Sequence, residues 1–187
     1  RRYFKRLRRD ENEAAGRGEQ FMRGFRRWQA QRADRKSVRD DLARPRYVLL
    51  HSLAHLLITA VSLECGYSAS SIRERVYAGQ GGYGILLYTG SSGSEGTLGG
   101  LVQVGLHLEA HLRAALDLGR LCSSDPICAQ HRPDDPHEER FLHGAACHGC
   151  LLIAEPSCER RNDFLDRALV VPTVEGGGAA FFPEGEA

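Results

Sequence analysis

Three of the six cysteines fall within residues 147–158. Cys147 and Cys150 form a C-x2-C pair, and this spacing lets one tight backbone turn aim two sulfurs at the same ion. Cys128 lies upstream of the pair and Cys158 downstream. The spacing predicts a tetrahedral Zn²⁺ site formed by Cys128, Cys147, Cys150 and Cys158, with Cys122 as the substitute if Cys128 points away.

Other chemistry is compatible with the C-x2-C pair and has to be weighed. A thiol oxidoreductase would use Cys147 and Cys150 as its redox pair. That motif normally opens a helix directly after a strand, whereas here the sequence HGAA precedes it and further cysteines lie nearby. A c-type haem site needs a histidine directly after the second cysteine, where Leu151 stands. Structural zinc is the interpretation that the residues favour.

Two histidines form a second pattern. His51 and His55 are four residues apart in an apolar segment, so a helix would place them on one face. The spacing resembles the H-E-x-x-H motif of zinc proteases, but Ser52 stands where the general base should be. We expect two hydrogen-bonded histidines in a mostly buried helix. The alternative is a metal-dependent hydrolase or nuclease in which His51, His55 and Glu95 share a cleft.

The elements that must position these residues are predicted to be mostly helical. Residues 47–63 are apolar almost all round, which indicates a helix buried on most sides. The sequence SASSIRERVY, residues 68–77, predicts a short helix with serine caps. Residues 83–89 predict a buried strand, because they form a short apolar run between glycines.

The second half of the chain is predicted to contain two further helices. The first covers residues 97–118, after a glycine-serine loop at residues 90–96. The second lies within residues 157–171 and leads into a final apolar strand. These elements predict a helix-dominated α+β fold with a buried central helix, few short strands and a zinc-stapled C-terminal segment.

Positive charge is concentrated at the start of the chain. The net charge is +1, but residues 1–45 contain fifteen Arg or Lys and seven Asp or Glu, a local charge of +8. Phe21, Phe25 and Trp28 recur at helical spacing, so we expect a helical arm whose aromatic stripe packs on the body or on a partner. Arginine binds phosphates and carboxylates bidentately. The alternative is that these arginines only form a solvated, basic helix face. The arginines that we expect to contact nucleic acid or a partner are Arg23, Arg26, Arg27, Arg32 and Arg35.

The composition is that of an ordinary soluble protein, with 42% hydrophobic and 26% charged residues. No uninterrupted stretch of eighteen apolar residues occurs, so we expect no membrane span and a cytoplasmic protein. The chain begins with Arg1, so we expect a segment of a longer protein. We divide it into a basic helical arm (1–44), a zinc-binding domain (45–172) and a flexible tail (173–187).

Taken together, five segments resemble the MrfA-like zinc-binding domain family. They are HSLAHLLI (51–58), ECGYSASSIRERVY (64–77), GILLYTGSSGSEGTLGGLV (84–102), CSSDPIC (122–128) and HGAACHGCLLIAEPSCERRNDFLDRALVV (143–171). The resemblance covers about residues 45–172. The family occurs at the C-terminal end of superfamily-2 DNA helicases and in helicase-less proteins such as the DrmB component of DISARM phage defence. This sequence is closer to the DrmB kind.

The resemblance implies a zinc-stabilised accessory module that is not itself an enzyme. Such a module would act with a DNA helicase partner in phage defence or DNA repair, and DNA would be contacted through the basic arm. The sequence contains neither a P-loop nor an Asp-Glu box, so the motor would belong to the partner. Carried over from the family, the zinc-binding role falls on Cys128, Cys147, Cys150 and Cys158, with Cys122 as the alternative.

Overall fold

The computed structural model describes residues 11–31, 40–68, 70–79, 81–89, 100–137, 140–175 and 179–183. Within them, five helices and a two-stranded antiparallel sheet make a helix-dominated α+β fold, as the sequence predicted. The helices are α1 (Glu11–Gln31), α2 (Pro45–Cys65), α3 (Gly100–Leu106), α4 (Leu108–Arg120) and α5 (Ile127–Gln130). The strands are β1 (Ile72–Gly79) and β2 (Gly82–Thr89), and short 3-10 turns occupy Asp40–Ala43, Glu155–Ser157 and Arg167–Leu169.

The centre of the fold is α2, which contacts α1, α4 and both strands. Pro45 occupies its first turn, where a missing N–H is tolerated, and Gly66 ends it in the left-handed conformation with φ 69°. Two histidines and a serine are buried along it together with its apolar residues. The prediction of a central helix buried on most sides is confirmed.

By length and composition, α2 is also the one helix in the described part of the chain that is apolar enough to cross a membrane. More than half of its apolar stretch is buried inside the fold. The surrounding helices and strands thus cover more than half of that surface, as they do around the core helix of a folded domain.

Residues 68–77 do not form the predicted helix. Strand β1 pairs antiparallel with β2, with Ile72 opposite Thr89 and Gly79 opposite Gly82. Burial alternates along β1, so that Ile72, Glu74 and Val76 face the core. That period of two is typical of a strand with one buried face. The helix prediction was wrong because Ile72 and Val76 also fit the i, i+4 spacing of a helix.

The predicted strand at residues 83–89 is present as β2, but one of its faces is exposed rather than buried. Of the helix predicted at residues 97–118, the structure describes residues 100–118, which belong to two helices, α3 and α4, separated at His107.

The predicted helix within residues 157–171 is absent. Arg161, Asn162 and Phe164 have positive φ angles of 55°, 64° and 63°, which no right-handed helix contains. The cause is visible at Cys158, whose sulfur accepts backbone N–H groups of Arg160 at 3.3 Å and Asn162 at 3.1 Å. The chain therefore winds around this sulfur instead of forming a helix.

Asp166 joins this C-terminal segment to the helices. Its buried carboxylate accepts the backbone N–H groups of Ala145 at 2.9 Å and Ala168 at 3.1 Å, and it also pairs with Arg17 of α1. Its own N–H donates to Ser52 Oγ of α2 at 2.8 Å. One side chain and its backbone thus connect three parts of the fold.

The aromatic stripe of the basic arm packs on the body. Phe21 and Phe25 are completely buried, in the same hydrophobic cluster as Tyr47 and Phe164. A Cβ on Gly24 would lie 2.5 Å from the carbonyl oxygen of Pro133, so α1 needs a glycine there to approach the loop. The boundary at residue 44 stays a prediction, although α1 shares its core with α2.

Part of the segment expected to be a flexible tail is held by hydrogen bonds. The N–H groups of Phe181 and Phe182 donate to the carbonyls of Leu169 at 3.0 Å and Val170 at 2.9 Å. Phe182 also packs against the hydrophobic cluster that contains Val170. These contacts fix residues 181–182 to the body.

Candidate metal centre

Four sulfurs converge after α4, and each lies within 4.8 Å of the others. The Sγ–Sγ distances are 3.5 Å for Cys122–Cys147, 3.7 Å for Cys128–Cys150 and 3.7 Å for Cys147–Cys150. Four sulfurs at about 2.3 Å from a tetrahedral zinc ion lie about 3.8 Å from one another. A disulfide would need about 2.05 Å, and all six cysteines are free. The cluster has the dimensions of a zinc site.

Local backbone geometry points the sulfurs inward. Cys122 follows the end of α4, and Cys128 lies in α5. The Cys147 carbonyl accepts the N–H groups of Cys150 at 3.1 Å and Leu151 at 3.0 Å, which closes the turn of the C-x2-C pair. A Cβ on Gly149 would lie 2.5 Å from Ser123 Oγ, so a glycine there lets this turn pack against the Cys122 loop.

A hydrogen bond and a buried arginine favour the thiolate of Cys128, whereas burial raises the pKa of Cys122 and the hydrogen bond with Cys128 raises the pKa of Cys150. Ser124 N–H points at Cys122 Sγ at 3.4 Å, and Gly149 N–H points at Cys147 Sγ at 3.3 Å. The hydrogen bond from Cys150 is the main cause that lowers the pKa of Cys128 to about 6, and the positive charge of Arg167 adds to it. Thiolates are the form of cysteine that binds metals.

Arg167 is completely buried beside the cluster. Its Nη1 donates to the Gly119 carbonyl at 3.1 Å, and its Nη2 donates to both carboxylate oxygens of Asp125. Asp125 lies between Cys122 and Cys128 in the chain. This ion pair anchors the loop that carries two of the four sulfurs to the end of α4.

The expected ligand set requires one correction. The structure brings Cys128, Cys147 and Cys150 together as expected, but the fourth sulfur belongs to Cys122, which we expected only as a substitute for Cys128. Cys158 lies apart from them, with its sulfur 3.2 Å from His51 Nε2. The physical reason is that the end of α4 delivers Cys122 to the C-x2-C turn, while the loop after residue 157 carries Cys158 towards α2.

The arrangement argues against a thiol oxidoreductase. Cys147 Sγ contacts Cys122 Sγ, and Cys150 Sγ contacts Cys128 Sγ, at distances as short as the one within the C-x2-C pair. The two sulfurs therefore belong to a set of four rather than to an isolated redox pair.

Both histidines of α2 are buried and hydrogen-bonded, and the carboxylate beside them is Glu74. Glu95, the carboxylate of the hydrolase hypothesis, lies outside the described residues. The sequence did not single out Glu74 because its segment was interpreted as a helix. The strand periodicity of Ile72, Glu74 and Val76 was the signal that places Glu74 on the buried face.

Charges at these histidines are strongly coupled. Burial opposes ionisation of Glu74, but hydrogen bonds with His51 and His55 outweigh it and lower the pKa of Glu74 to about 2. Burial likewise lowers the pKa of His51, but hydrogen bonds to Cys158 and Glu74 outweigh it and raise that pKa to about 10. Without a bound metal ion, Glu74 and the two histidines are linked by shared protons.

The arginines of the arm have mixed surroundings. Arg23 donates to Asp134 Oδ2 from Nε at 2.9 Å, and Arg27 donates to the Asp134 carbonyl. Arg26 is exposed, and Arg32 and Arg35 lie outside the described residues. Two of the five expected contact residues therefore help to hold α1 against the loop around Asp134.

Comparison with known proteins agrees with this cluster. Residues 53–151, more than half of the chain, match the family model of the MrfA Zn-binding domain. This range contains all four clustered sulfurs and ends before Cys158. The chain is also 46% identical over 138 residues to the DISARM protein DrmB of Bacillus paralicheniformis, which is 73% of this chain and 24% of DrmB. The chain thus spans about a quarter of the length of that relative.

Proposed function

We propose that this chain, which belongs to the MrfA Zn-binding domain family, is a non-catalytic module. One zinc ion bound by Cys122, Cys128, Cys147 and Cys150 holds the module together. The module acts with a DNA helicase partner in a phage-defence system of the DISARM type. The similarity to the DISARM protein DrmB supports the association with defence. The four-sulfur cluster is the observation that carries the proposal.

The ligand set supports a structural role for the zinc. Four thiolates complete the tetrahedral coordination of zinc, whereas a catalytic zinc keeps one position open for water or substrate. The ion would connect the end of α4, α5 and the C-x2-C turn. Between residues 121 and 171 the only regular elements described are α5 and two 3-10 turns. A metal crosslink supplies the order that such a segment lacks.

The DNA contact would come from arginines that are exposed on the surface. On α1, Arg26 is exposed beside the internally paired Arg23 and Arg27. The exposed face of the two-stranded sheet formed by β1 and β2 is a second such surface. There Arg73 and Arg75 are exposed beside Tyr77, Leu86 and Tyr88. Arginines together with exposed aromatic rings bind single-stranded nucleic acid through phosphate contacts and base stacking.

Binding of labelled single-stranded DNA as a function of salt tests this part of the proposal. Affinity should fall steeply with salt, because each neutralised phosphate releases counterions. The double variant Arg73→Ala/Arg75→Ala and the single variant Arg26→Ala should each weaken binding. Each should also reduce the salt slope by about one for every phosphate that an arginine no longer neutralises.

Arg113→Ala is the matched control for these variants, because Arg113 is an exposed arginine on α4 that pairs with Glu109. It should leave DNA affinity unchanged. Binding that does not depend on salt, or no binding at low ionic strength, would contradict the DNA contact and leave contact with the helicase alone.

A further inference from the structure

A second group of metal-ligating side chains is buried between α2, β1 and the C-terminal loop. It consists of His51, His55, Glu74 and Cys158, whose ligand atoms all lie within 4.8 Å of one another. Glu74 Oε1 is 2.7 Å from His51 Nε2 and 3.3 Å from His55 Nε2. Cys158 Sγ is 3.2 Å from His51 Nε2. All four residues are buried.

The outer nitrogen of each imidazole is held by a backbone carbonyl. His51 Nδ1 lies 3.2 Å from the Phe164 carbonyl, and His55 Nδ1 lies 2.9 Å from the Leu151 carbonyl. A carbonyl oxygen only accepts hydrogen bonds, so each Nδ1 carries a proton. Once Nε2 gives up its proton to a metal ion, its lone pair points to the centre of the cluster. Metal-ligating histidines are oriented in this way.

The two anionic groups are also prepared for a cation. Cys158 Sγ accepts two backbone N–H groups, from Arg160 and Asn162, which stabilise its thiolate. Glu74 directs Oε1 at both histidines, and its Oε2 is buried without a hydrogen-bond partner among the described residues. Such charges are costly in a dry interior unless a counter-charge balances them.

We propose that His51 Nε2, His55 Nε2, Glu74 and Cys158 Sγ bind a second zinc ion. Imidazole, carboxylate and thiolate are the three ligand types that zinc takes in proteins, and four ligands complete its tetrahedral shell. One thiolate and one carboxylate neutralise the two positive charges of the ion. Four protein ligands in a buried site leave no access for substrate, so this zinc is structural and not hydrolytic.

The second zinc would join parts of the chain that are distant in sequence. His51 and His55 come from α2, Glu74 from the middle of β1, and Cys158 from the loop before Asp166. None of these residues belongs to the four-sulfur cluster, so the inference goes beyond the proposed function and fails or holds independently of it.

Metal analysis of the purified protein tests the second site. The wild type should contain two zinc ions per chain, and Glu74→Gln, which preserves side-chain size, should contain one. Cys65→Ser is the control, since Cys65 is exposed and lies in neither cluster, and it should keep two. One zinc per chain in both the wild type and Glu74→Gln would overturn the proposal, because the histidine cluster would then hold protons instead of a metal ion.

X-ray absorption at the zinc edge tests the same claim without any variant. Two occupied sites give five sulfur and three nitrogen or oxygen ligands shared between two ions. A spectrum explained by sulfur ligands alone would overturn the proposal, and so would a different metal in the second equivalent.

Discussion

The carbonyl oxygen of Leu151 lies 2.9 Å from His55 Nδ1 and accepts its hydrogen bond. Leu151 directly follows Cys150, and its own N–H donates to the Cys147 carbonyl at 3.0 Å. The turn that carries two sulfurs of the first cluster therefore also orients an imidazole of the second. Because the two clusters share this turn, loss of metal from the four-sulfur cluster should loosen the histidine cluster as well.

Cys122→Ser should release the zinc of the four-sulfur cluster. A serine hydroxyl does not replace a thiolate as a zinc ligand. Loss of a residue that only hydrogen-bonds to a ligand lowers metal affinity about 10–100-fold, so loss of the ligand itself should lower zinc affinity by more than that. Competition with a chromophoric chelator measures the change. Cys65→Ser should behave like the wild type, since Cys65 lies outside the cluster. Wild-type zinc retention in Cys122→Ser would refute the corrected ligand set.

Gly144→Ala should destabilise the fold, because a Cβ there would lie 2.4 Å from the buried carboxyl carbon of Asp166. Asp166 is held by hydrogen bonds to Ala145 and Ala168 and has little room to move. We expect a loss of about 1–3 kcal/mol in the free energy of unfolding.

Gly16→Ala is the control for that substitution. Gly16 lies inside α1, and nothing lies within 4 Å of a Cβ built on it. Alanine should therefore stabilise the protein by about 0.5–1 kcal/mol. Urea unfolding should give opposite signs for the two variants, and equal effects would contradict the close contact between Gly144 and Asp166.

Arg167→Met should be among the most damaging single substitutions, because it leaves the carboxylate of Asp125 without its buried partner. Breaking a buried ion pair costs about 3–5 kcal/mol of unfolding free energy. Arg113→Ala removes an exposed pair with Glu109 and should cost about 0–1 kcal/mol. Urea unfolding of both variants checks this ranking, which a similar cost for the two would contradict.

His143 should make the protein less stable in acid. Burial lowers the pKa of His143 to about 4 and outweighs the hydrogen bond with Asn162, which acts to raise that pKa. The positive charges of Arg140, His131 and His51 lower the pKa further. The ordinary pKa of histidine is about 6.5, so the unfolded chain binds more protons between these values. Stability is therefore complete above pH 6.5 and declines as the pH falls towards 4.

His143→Gln should remove this part of the pH dependence. We expect the difference in melting temperature between wild type and variant to shrink as the pH is lowered from 7 to 4, with zinc in excess throughout. A difference that is constant across this range would contradict a neutral, buried His143.

The sequence predicted the elements whose patterns are local. The all-round apolar segment ending at Gly66 is α2, and the C-x2-C pair lies in a zinc-type turn. The partners of these elements depend on long-range packing, which spacing does not encode. Five cysteines fit four places, and only the fold shows that Cys122 joins the pair while Cys158 faces α2.

Glu74 shows the same limit. The sequence IRERV satisfies both helical and strand periods, and only pairing with β2 decides between them. Once the strand is recognised, the alternation places Glu74 on the buried face beside His55, nineteen residues earlier in the chain. Likewise, hydrogen bonds to the sulfur of Cys158 replace the helix that the sequence after it predicts.

Hydrogen–deuterium exchange of residues 121–171, with zinc bound and after its removal by a chelator, tests the central claim most directly. This segment has few regular elements and contains all four clustered sulfurs as well as Cys158, so its amides should be protected only while zinc is bound. We predict fast exchange in the segment after zinc removal, while the buried α2 retains more of its protection. Unchanged protection of residues 121–171 without zinc would contradict the account.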